Sequence, residues 1–329
     1  MMSEARLIEL WRGGLLESSH RGHVVIADSN GIVEAWGDPG AVIFPRSSCK
    51  MIQALPLVES GAADAAGLTS EHLALACASH NGAEMHTKRV ENWLEGLGLS
   101  ESDLRCGSHM PNDPEARKGL VCSGTSPCQL HNNCSGKHAG FLTLNQKLRG
   151  GPEYVELDHP VQMAVREAFE ETTGERVAGW GVDGCSAPNF ACSVEGLARA
   201  MAGFAKPAND SRGAAQRRLV EAMIAHPELV AGEGRACTEL MRALGGKAAL
   251  KTGAEAVFVG IVPERGLGIA LKIVDGGTRG AEAAITALML HLGLLSENDP
   301  AARKYLTAPQ TNWRGRITGE LRRAKGFPQ

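Results

Sequence analysis

Alternating apolar residues are concentrated at the two ends of the 329-residue chain, and this distribution constrains the fold most strongly. Near the start, the runs LIELWRG, HVVIADS and GIVEAWG predict short strands, with DSNG as a hairpin turn between the last two. Near the end, KAALKTGAEAVFVGIVPERGLGIALKIVDGG contains two strand-like runs around the turn PERG. The strands from both ends are therefore expected to share one sheet.

Between these ends, apolar residues recur at helical spacing. The predicted helices include SEHLALACASH, with a serine cap, and then AEMHTKRVENWLEGLG, HPVQMAVREAFEETTG, SVEGLARAMAGFA and AAQRRLVEAMIAH, while TRGAEAAITALMLHLGLL follows the last strands. The expected fold class is α/β, with a mixed sheet from about residues 1–45 and 246–329 and a helical cluster inserted at about 46–245. Residues 1–329 are expected to form a single unit, without the strand–helix alternation of a doubly wound fold.

Composition and charge exclude several classes of function. A hydrophobic fraction of 43% and a charged fraction of 22% are ordinary for a globular protein. The net charge of −3 gives no reason to expect nucleic acid as a partner, and the basic stretch WRGRITGELRRAK is interpreted as a solvated helix face. No apolar run approaches the roughly 18 residues of a membrane span, and the start does not resemble a signal peptide. We therefore expect a cytoplasmic protein with no membrane partner.

The nine cysteines include no Cys-x-x-Cys pair. For a cytosolic protein this pattern predicts reduced thiols, most of them small residues buried in the core.

The first motif with chemical meaning is Ser47-x-x-Lys50 in FPRSSCKMIQ. At the start of a helix this spacing puts both side chains on one face. A neutral lysine can take the proton of a serine, and the helix N-terminus can offer N–H groups to an oxyanion. Ser48 would point to another face, and Cys49 is interpreted as a packing residue. A plain helix cap is the alternative interpretation of either serine.

Two further motifs follow in order. Ser79-His80-Asn81 lies in a turn after a predicted helix, and Lys251-Thr252-Gly253 precedes the strand EAVFVGIV. Each alone could be an ordinary turn or strand edge. The ordered set SxxK, SxN and KTG, however, is that of serine β-lactamases and penicillin-binding proteins. It predicts two serine–lysine pairs around one pocket, Ser47 with Lys50 and Ser79 with Lys251.

Six separated blocks narrow this assignment: RSSCKMIQALP, CASHNGAEMH, HNNCSGKHAGFL, GVDGCSAPNFA, AHPELVAGEGRACTEL and KTGAEAVF. Together, between about residues 40 and 285, they resemble the Rhizobium etli-type (class 3) L-asparaginases of the asparaginase II family. The resemblance implies a β-lactamase-like fold, a homodimer, and hydrolysis of L-asparagine to L-aspartate and ammonia. It also implies that Ser47 is the nucleophile, that Lys50 is its base, and that Ser79 and Lys251 form the second pair.

The same resemblance implies a zinc site. Its ligands on this chain would be Cys134, Lys137 and Cys185, with Asp183 beside the site and Cys237 as a further pocket residue. Thiolates are natural zinc ligands, whereas a lysine must first lose a proton. Without the resemblance, both cysteines would be interpreted as buried packing residues, because Cys-x-x-Lys matches no standard zinc signature.

Other residues give weaker indications. Arg46 is a candidate anchor for the substrate α-carboxylate. The histidines near the motif blocks are expected to be structural, with proton relay as the alternative; they are His80, His86, His131 and His138. Three other functions stay open: a serine-dependent glutaminase, a β-lactamase or cell-wall peptidase, and a non-catalytic binding protein on the same fold.

Overall fold

The computed structural model describes residues 3–307 and 309–328, which form two compact units. The first unit contains the N-terminal segment through Ser48, the segment Ser193–Lys206 and the segment from Glu239 onward. The second unit contains Cys49–Cys192 and Pro207–Thr238. Of the motif Ser47-x-x-Lys50, Ser47 therefore belongs to the first unit and Lys50 to the second.

The strands are β1 (Ala5–Arg12), β2 (Leu15–Asp28), β3 (Gly31–Trp36), β4 (Val42–Ile43), β5 (Gly179–Val182), β6 (Pro188–Ser193), β7 (Ala249–Thr252), β8 (Val257–Val262), β9 (Leu267–Ile273), β10 (Pro309–Thr311) and β11 (Ile317–Arg323). The helices are α1 (Lys50–Gln53), α2 (Leu55–Glu59), α3 (Ala62–Ala65), α4 (Ser70–Ala76), α5 (Glu84–Gly96), α6 (Pro114–Ser123), α7 (Ser135–Leu148), α8 (Pro160–Thr173), α9 (Val194–Ala205), α10 (Ser211–Ala225), α11 (Pro227–Val230), α12 (Ala236–Ala243), α13 (Thr278–His291) and α14 (Pro300–Ala302). Short 3₁₀ helices cover Arg46–Cys49, Glu101–Asp103, Gln129–His131 and Pro263–Arg265, and a π turn covers Arg303–Thr307.

The first unit is built on an eight-stranded sheet in the order β10-β11-β1-β2-β9-β8-β7, with β3 also paired to β2. The pairings of β2 with β9 and of β1 with β11 confirm that strands from both ends of the chain share one sheet. Every pairing in this sheet is antiparallel, so the expected mixed sheet is wrong in that detail. Short connections explain this direction for neighbours that are consecutive in the chain, such as β1 with β2 and β8 with β9. The antiparallel pairing of β2 with β9 and of β1 with β11 depends instead on contacts between distant segments.

Two helices of the first unit pack against this sheet. Every residue of β8 is buried, so both faces of the sheet are covered there, and α9 and α13 both contact this strand. On the neighbouring strand β9, Gly268 lets α9 approach closely, because a Cβ at this position would lie 2.0 Å from the backbone nitrogen of Ala202. The glycine therefore determines how closely the helix lies on the sheet.

The second unit is helical, with α7 at its centre. Residues Ser135–Asn145 are all buried, as expected for a helix surrounded by others, and α7 packs against α4, α5 and α8. The start of α7 lies directly on α4, because a Cβ on Gly136 would be only 2.5 Å from the carbonyl oxygen of Leu75. This end of α7 also carries two of the predicted site residues.

Several local predictions differ from the structure. The cap of α4 is Thr69, which forms a capping box with His72, and not the serine that follows it. Lys251 and Thr252 of the KTG motif lie on a strand of their own, β7, so three strands and not two lie between α12 and α13. The β5–β6 hairpin, only four residues long at β5, lies within the predicted helical segment.

The basic stretch WRGRITGELRRAK is not a helix. It forms the end of the β10–β11 hairpin, in which Gly315 takes a φ of +73° in the turn and Leu321 points inward. Separately, no helix in the described part of the chain is both long and apolar enough to cross a membrane.

Candidate active site

The first motif begins with a strained turn in the first unit. Arg46 takes a φ of 53°, which is uncommon for a residue with a side chain and is often found at functional sites. The buried hydroxyl of Ser48 donates a hydrogen bond of 2.7 Å to the carbonyl oxygen of Pro45. Ser48 therefore stabilises the turn, and Ser47 stands beside it half-buried.

The KTG motif packs against this turn within the same unit. Lys251 is fully buried, and its amine donates a hydrogen bond of 2.7 Å to the carbonyl oxygen of Thr252. A Cβ on Gly253 would lie 2.6 Å from the carbonyl oxygen of Pro45 and 3.0 Å from the backbone nitrogen of Ser48. A glycine is needed here because the end of β7 touches the backbone around Ser47 directly.

The second unit contains the other members of the serine–lysine set. Lys50 is 1% exposed, and its amine lies 3.1 Å from the hydroxyl of Ser79 and 3.1 Å from the thiol of Cys134. It also donates a short hydrogen bond to the carbonyl oxygen of Ala78. Lys50 thus joins the second motif to the proposed zinc ligands, a contact that the sequence pattern does not indicate.

A third segment of the chain, which includes Val230 and Gly232, packs against the turn that carries Ser79. The backbone nitrogen of Ser79 donates a hydrogen bond of 2.8 Å to the carbonyl oxygen of Val230. Two residues further on, the side chain of Asn81 lies so close to Gly232 that a Cβ there would be 2.3 Å from it. Gly232 belongs to the block AHPELVAGEGRACTEL, which explains why that block accompanies the SxN motif.

The proposed zinc ligands also meet in the second unit. Cys134 precedes α7, and Lys137 lies on its first turn. The amine of Lys137 is 3.1 Å from the thiol of Cys185, and the thiols of Cys185 and Cys134 are hydrogen-bonded to each other. All three side chains are buried. Asp183 lies two residues before Cys185, and its backbone nitrogen donates to the carbonyl oxygen of Ala187.

The charges in this cluster are coupled. The hydrogen bond from Cys134 lowers the pKa of Cys185 well below its ordinary value, and Lys137 adds to the effect. The same hydrogen bond, together with burial, raises the pKa of Cys134 to about 12. Burial works to lower the pKa of Lys137, but the neighbouring Cys185 and Cys134 outweigh it and raise that pKa. The metal-free cluster therefore favours a thiolate on Cys185 beside a charged Lys137.

These residues fit zinc in the number and proximity of their donors. Two buried thiols and an amine converge, and thiolate sulfur is a preferred zinc ligand. Within residues 3–307 and 309–328, no group of three or more His, Cys, Asp or Glu side chains could hold a metal, so Lys137 would have to be the third ligand. Its raised pKa means that zinc would have to displace a proton from it.

The remaining predicted residues lie in both units. Arg46 and Lys251 belong to the first, and Asp183 and Cys237 to the second. Cys237 is buried on α12, while Asp183 is half-buried. All nine cysteines are described, and none of them forms a disulfide.

The motifs alone do not indicate the buried contacts around His80. Its ring stacks on His86 with centroids 4.7 Å apart, and its Nε2 lies 3.0 Å from the hydroxyl of Ser135. The signal in the sequence is only adjacency: His80 follows Ser79, and Ser135 follows Cys134.

Comparison with known families matches most of the chain to one of them. The sequence profile described as L-asparaginase II matches residues 8–323. The chain belongs to the L-asparaginase II family. The resemblance drawn from the six blocks is thereby confirmed, and the family implies an amidohydrolase. Comparison with curated protein sequences gives no match.

Solved structures with related topology have low sequence identity to this member of the L-asparaginase II family. They include Mglu in its native form, at 15% identity and a TM-score of 0.49, with 85% of this chain and 66% of that chain covered. A β-lactamase from Mycobacterium bovis gives 14% identity and a TM-score of 0.46, with 83% of this chain and 95% of that chain covered. The octameric penicillin-binding protein homologue from Pyrococcus abyssi gives 12% identity and a TM-score of 0.38, with 91% of this chain and 81% of that chain covered.

Proposed function

We propose that this protein is an L-asparaginase that hydrolyses L-asparagine to L-aspartate and ammonia, with Ser47 as nucleophile. The family supports the reaction class. The observation that carries the serine–lysine chemistry is the buried amine of Lys50, three residues after Ser47 and 3.1 Å from the hydroxyl of Ser79. A buried lysine among hydroxyl and thiol groups is a candidate base rather than a surface charge.

In the proposed reaction, neutral Lys50 takes the proton of Ser47, whose oxygen attacks the side-chain amide carbon of asparagine. Backbone N–H groups stabilise the oxyanion. Ser79 and Lys251 deliver a proton to the leaving nitrogen, which departs as ammonia and leaves an aspartyl ester on Ser47. Water then attacks this ester and releases aspartate, and the serine regains its proton.

Three residues are proposed to bind the substrate. Arg46 would pair with the α-carboxylate, Asp183 with the α-ammonium group, and Cys237 would line the pocket. A guanidinium suits a carboxylate because it offers parallel N–H donors. The left-handed backbone at Arg46 supports a functional role, because a strained residue beside the nucleophile is costly to keep for packing alone.

We further propose that zinc binds Cys134, Lys137 and Cys185. Bound zinc would supply a Lewis acid beside the pocket. The chain's own groups contribute the two thiols and the amine described above. Dialysis against zinc followed by metal analysis tests this proposal: wild type and Cys122→Ser, which changes an exposed thiol, should retain zinc, and Cys185→Ser should not. Equal zinc content in all three proteins would contradict it.

A cytoplasmic homodimer is also proposed, from the family resemblance. Light scattering at several concentrations tests the assembly. A mass of twice 34.7 kDa supports the dimer, and a mass of one chain at all concentrations contradicts it.

The decisive assay is ammonia release from L-asparagine and L-glutamine by wild type, Ser47→Ala and Ser48→Ala. Ser48 is a matched control, because its hydroxyl is held by Pro45 within the turn. We expect asparagine turnover by wild type and Ser48→Ala, and a loss of at least about a thousandfold in Ser47→Ala. Release from glutamine alone would indicate a glutaminase, since one methylene changes specificity by only ~1–3 kcal/mol. Undiminished turnover in Ser47→Ala would overturn the proposed nucleophile.

A further inference from the structure

Two chain segments meet at the amine of Lys50. One follows α4 and carries Ser79, and the other leads into α7 and carries Cys134. Lys50 bridges them at 3.1 Å on each side. The position of the Lys50 amine therefore depends on the distance between these two segments. The next residue along each segment is His80 in one and Ser135 in the other, and these two are 55 residues apart in the chain.

That next pair is itself hydrogen-bonded. The Nε2 of His80 lies 3.0 Å from the hydroxyl oxygen of Ser135, and both residues are fully buried. The backbone nitrogen of Gly82 donates to the Nδ1 of His80 at 3.2 Å, which places the ring proton on Nε2. The hydroxyl of Ser135 in turn donates to the carbonyl oxygen of Leu130 at 3.0 Å. Each group thus has a defined role as donor or acceptor.

The imidazole of His80 is held neutral, which suits a ring that accepts a hydrogen bond at Nδ1 and donates one from Nε2. Burial lowers its pKa well below the ordinary value, and the neighbouring His86 and Lys50 add to the effect. A charged ring could not accept the hydrogen bond from the backbone of Gly82. The stacked ring of His86, bonded at its Nε2 to the carbonyl oxygen of Glu228 at 2.9 Å, restricts rotation of His80.

One backbone contact joins the same segments: the nitrogen of His80 donates to the carbonyl oxygen of Asn133 at 3.2 Å. This bond lies beside the close packing of Gly136 on α4, which limits how far the two segments can separate. The side-chain bond from His80 to Ser135 supplies a second link, and two links fix both separation and rotation. Their immediate neighbours, Ser79 and Cys134, are the two groups that Lys50 contacts.

We infer that His80 and Ser135 are positioning residues that hold Ser79 and Cys134 in register on the amine of Lys50. They touch neither substrate nor reacting atoms, and no proton passes through the imidazole. The inference rests on the proposed function for its effect on turnover, but the geometry that it describes is independent of which amide is hydrolysed.

The test compares His80→Gln, which keeps an N–H donor, with His80→Met, which removes it, and with Ser135→Ala. We expect His80→Met and Ser135→Ala to lower kcat by about tenfold with little change in KM, as for the loss of one buried hydrogen bond. His80→Gln should restore most of kcat. The double variant His80→Met/Ser135→Ala should be no worse than either single one, because both remove the same contact.

His159→Met is the matched control. His159 is also buried, and its ring bonds to backbone groups of Gly151 and Val161. We expect this variant to lose stability without a change in kcat. If His80→Met and His80→Gln have the same kcat, or if the effects of His80→Met and Ser135→Ala are additive, the positioning role is wrong.

A second measurement does not depend on turnover. The rate at which iodoacetamide alkylates Cys134, read by peptide mass spectrometry, should rise in His80→Met and Ser135→Ala but stay near wild type in His80→Gln and His159→Met. Alkylation as fast in His159→Met as in His80→Met would overturn the inference. A wild type that hydrolyses neither asparagine nor glutamine would overturn the proposed function, while the alkylation rates would still decide the inference.

Discussion

At the scale of single residues, Gly253 shows why a short motif needs each of its members. The end of β7 touches the turn around Ser47, and a methyl group on Gly253 would meet backbone atoms of Pro45 and Ser48. Backbone atoms cannot move aside as a flexible side chain does. The glycine of KTG is therefore a packing requirement, while the lysine of the same motif is proposed to take part in the chemistry.

Gly253→Ala should accordingly reduce activity without unfolding the protein. The methyl group would lie 2.6 Å from the carbonyl oxygen of Pro45, so the turn must shift. A displacement of a nucleophile of this kind costs on the order of a hundredfold in kcat/KM. Ammonia release measures it, with Gly179→Ala on β5 as the control, because a Cβ there meets nothing within 4 Å. Equal activity of the two variants would show that the turn does not depend on Gly253.

At the scale of elements, two helical glycines have opposite environments. Gly136, on the buried start of α7, lies against the backbone of α4, whereas Gly119 lies on the exposed helix α6 with nothing within 4 Å of its missing Cβ. The close approach at Gly136 allows α7 to present Cys134 and Lys137 beside the turn that carries Ser79.

The same substitution should thus have opposite effects on the free energy of unfolding. Gly119→Ala should raise it by about 0.5–1 kcal/mol, since alanine is the better helix former. Gly136→Ala should lower it by about 1–3 kcal/mol, because the methyl group would lie 2.5 Å from the carbonyl oxygen of Leu75. Urea denaturation of both variants measures the difference. A gain in stability for Gly136→Ala would refute the close packing.

The helices and strands differ in how well the sequence pattern predicts them. Long periodic segments such as α5, α8 and α13 are predictable because many residues repeat the signal, and the hairpin at DSNG follows from local turn chemistry. The strand β5 is not predictable from the sequence, because its four residues include two glycines and show little alternation of apolar and polar side chains. The all-antiparallel sheet also escaped prediction, because pairing direction depends on contacts between distant segments.

Some features of the candidate site are likewise predictable from the sequence and others are not. Spacing within each motif predicts the residue types, and the order of the motifs indicates the family. Spacing does not predict that Lys50 contacts Ser79 and Cys134, which lie 29 and 84 residues away. Such contacts follow from how α4 and α7 pack, so they are visible only in the folded chain.

At the scale of the whole molecule, buried histidines couple stability to pH. Burial lowers the pKa of His80 and of His138 well below the ordinary value of 6.5. In the unfolded chain both would bind protons below about pH 6.5, whereas in the folded protein they stay neutral. Because the unfolded state binds more protons in this range, the free energy of unfolding must fall as the pH falls.

Each such histidine should contribute a slope of up to about 1.4 kcal/mol per pH unit below pH 6.5. Urea denaturation between pH 7 and pH 5 should therefore show declining stability, and His80→Gln should decline less steeply than wild type. A wild-type stability that is flat over this range, or an unchanged slope in His80→Gln, would contradict the buried neutral state of His80.

The central claim is that Ser47 is the residue acylated during turnover, and Ser79 is its natural rival because its hydroxyl lies 3.1 Å from the amine of Lys50. The most direct measurement is acid quenching of the enzyme during turnover of L-asparagine, followed by peptide mapping of the aspartyl ester. The account predicts the ester on the peptide at Ser47, and its absence from Ser47→Ala. An ester found on Ser79, or turnover by Ser47→Ala at the wild-type rate, would contradict it.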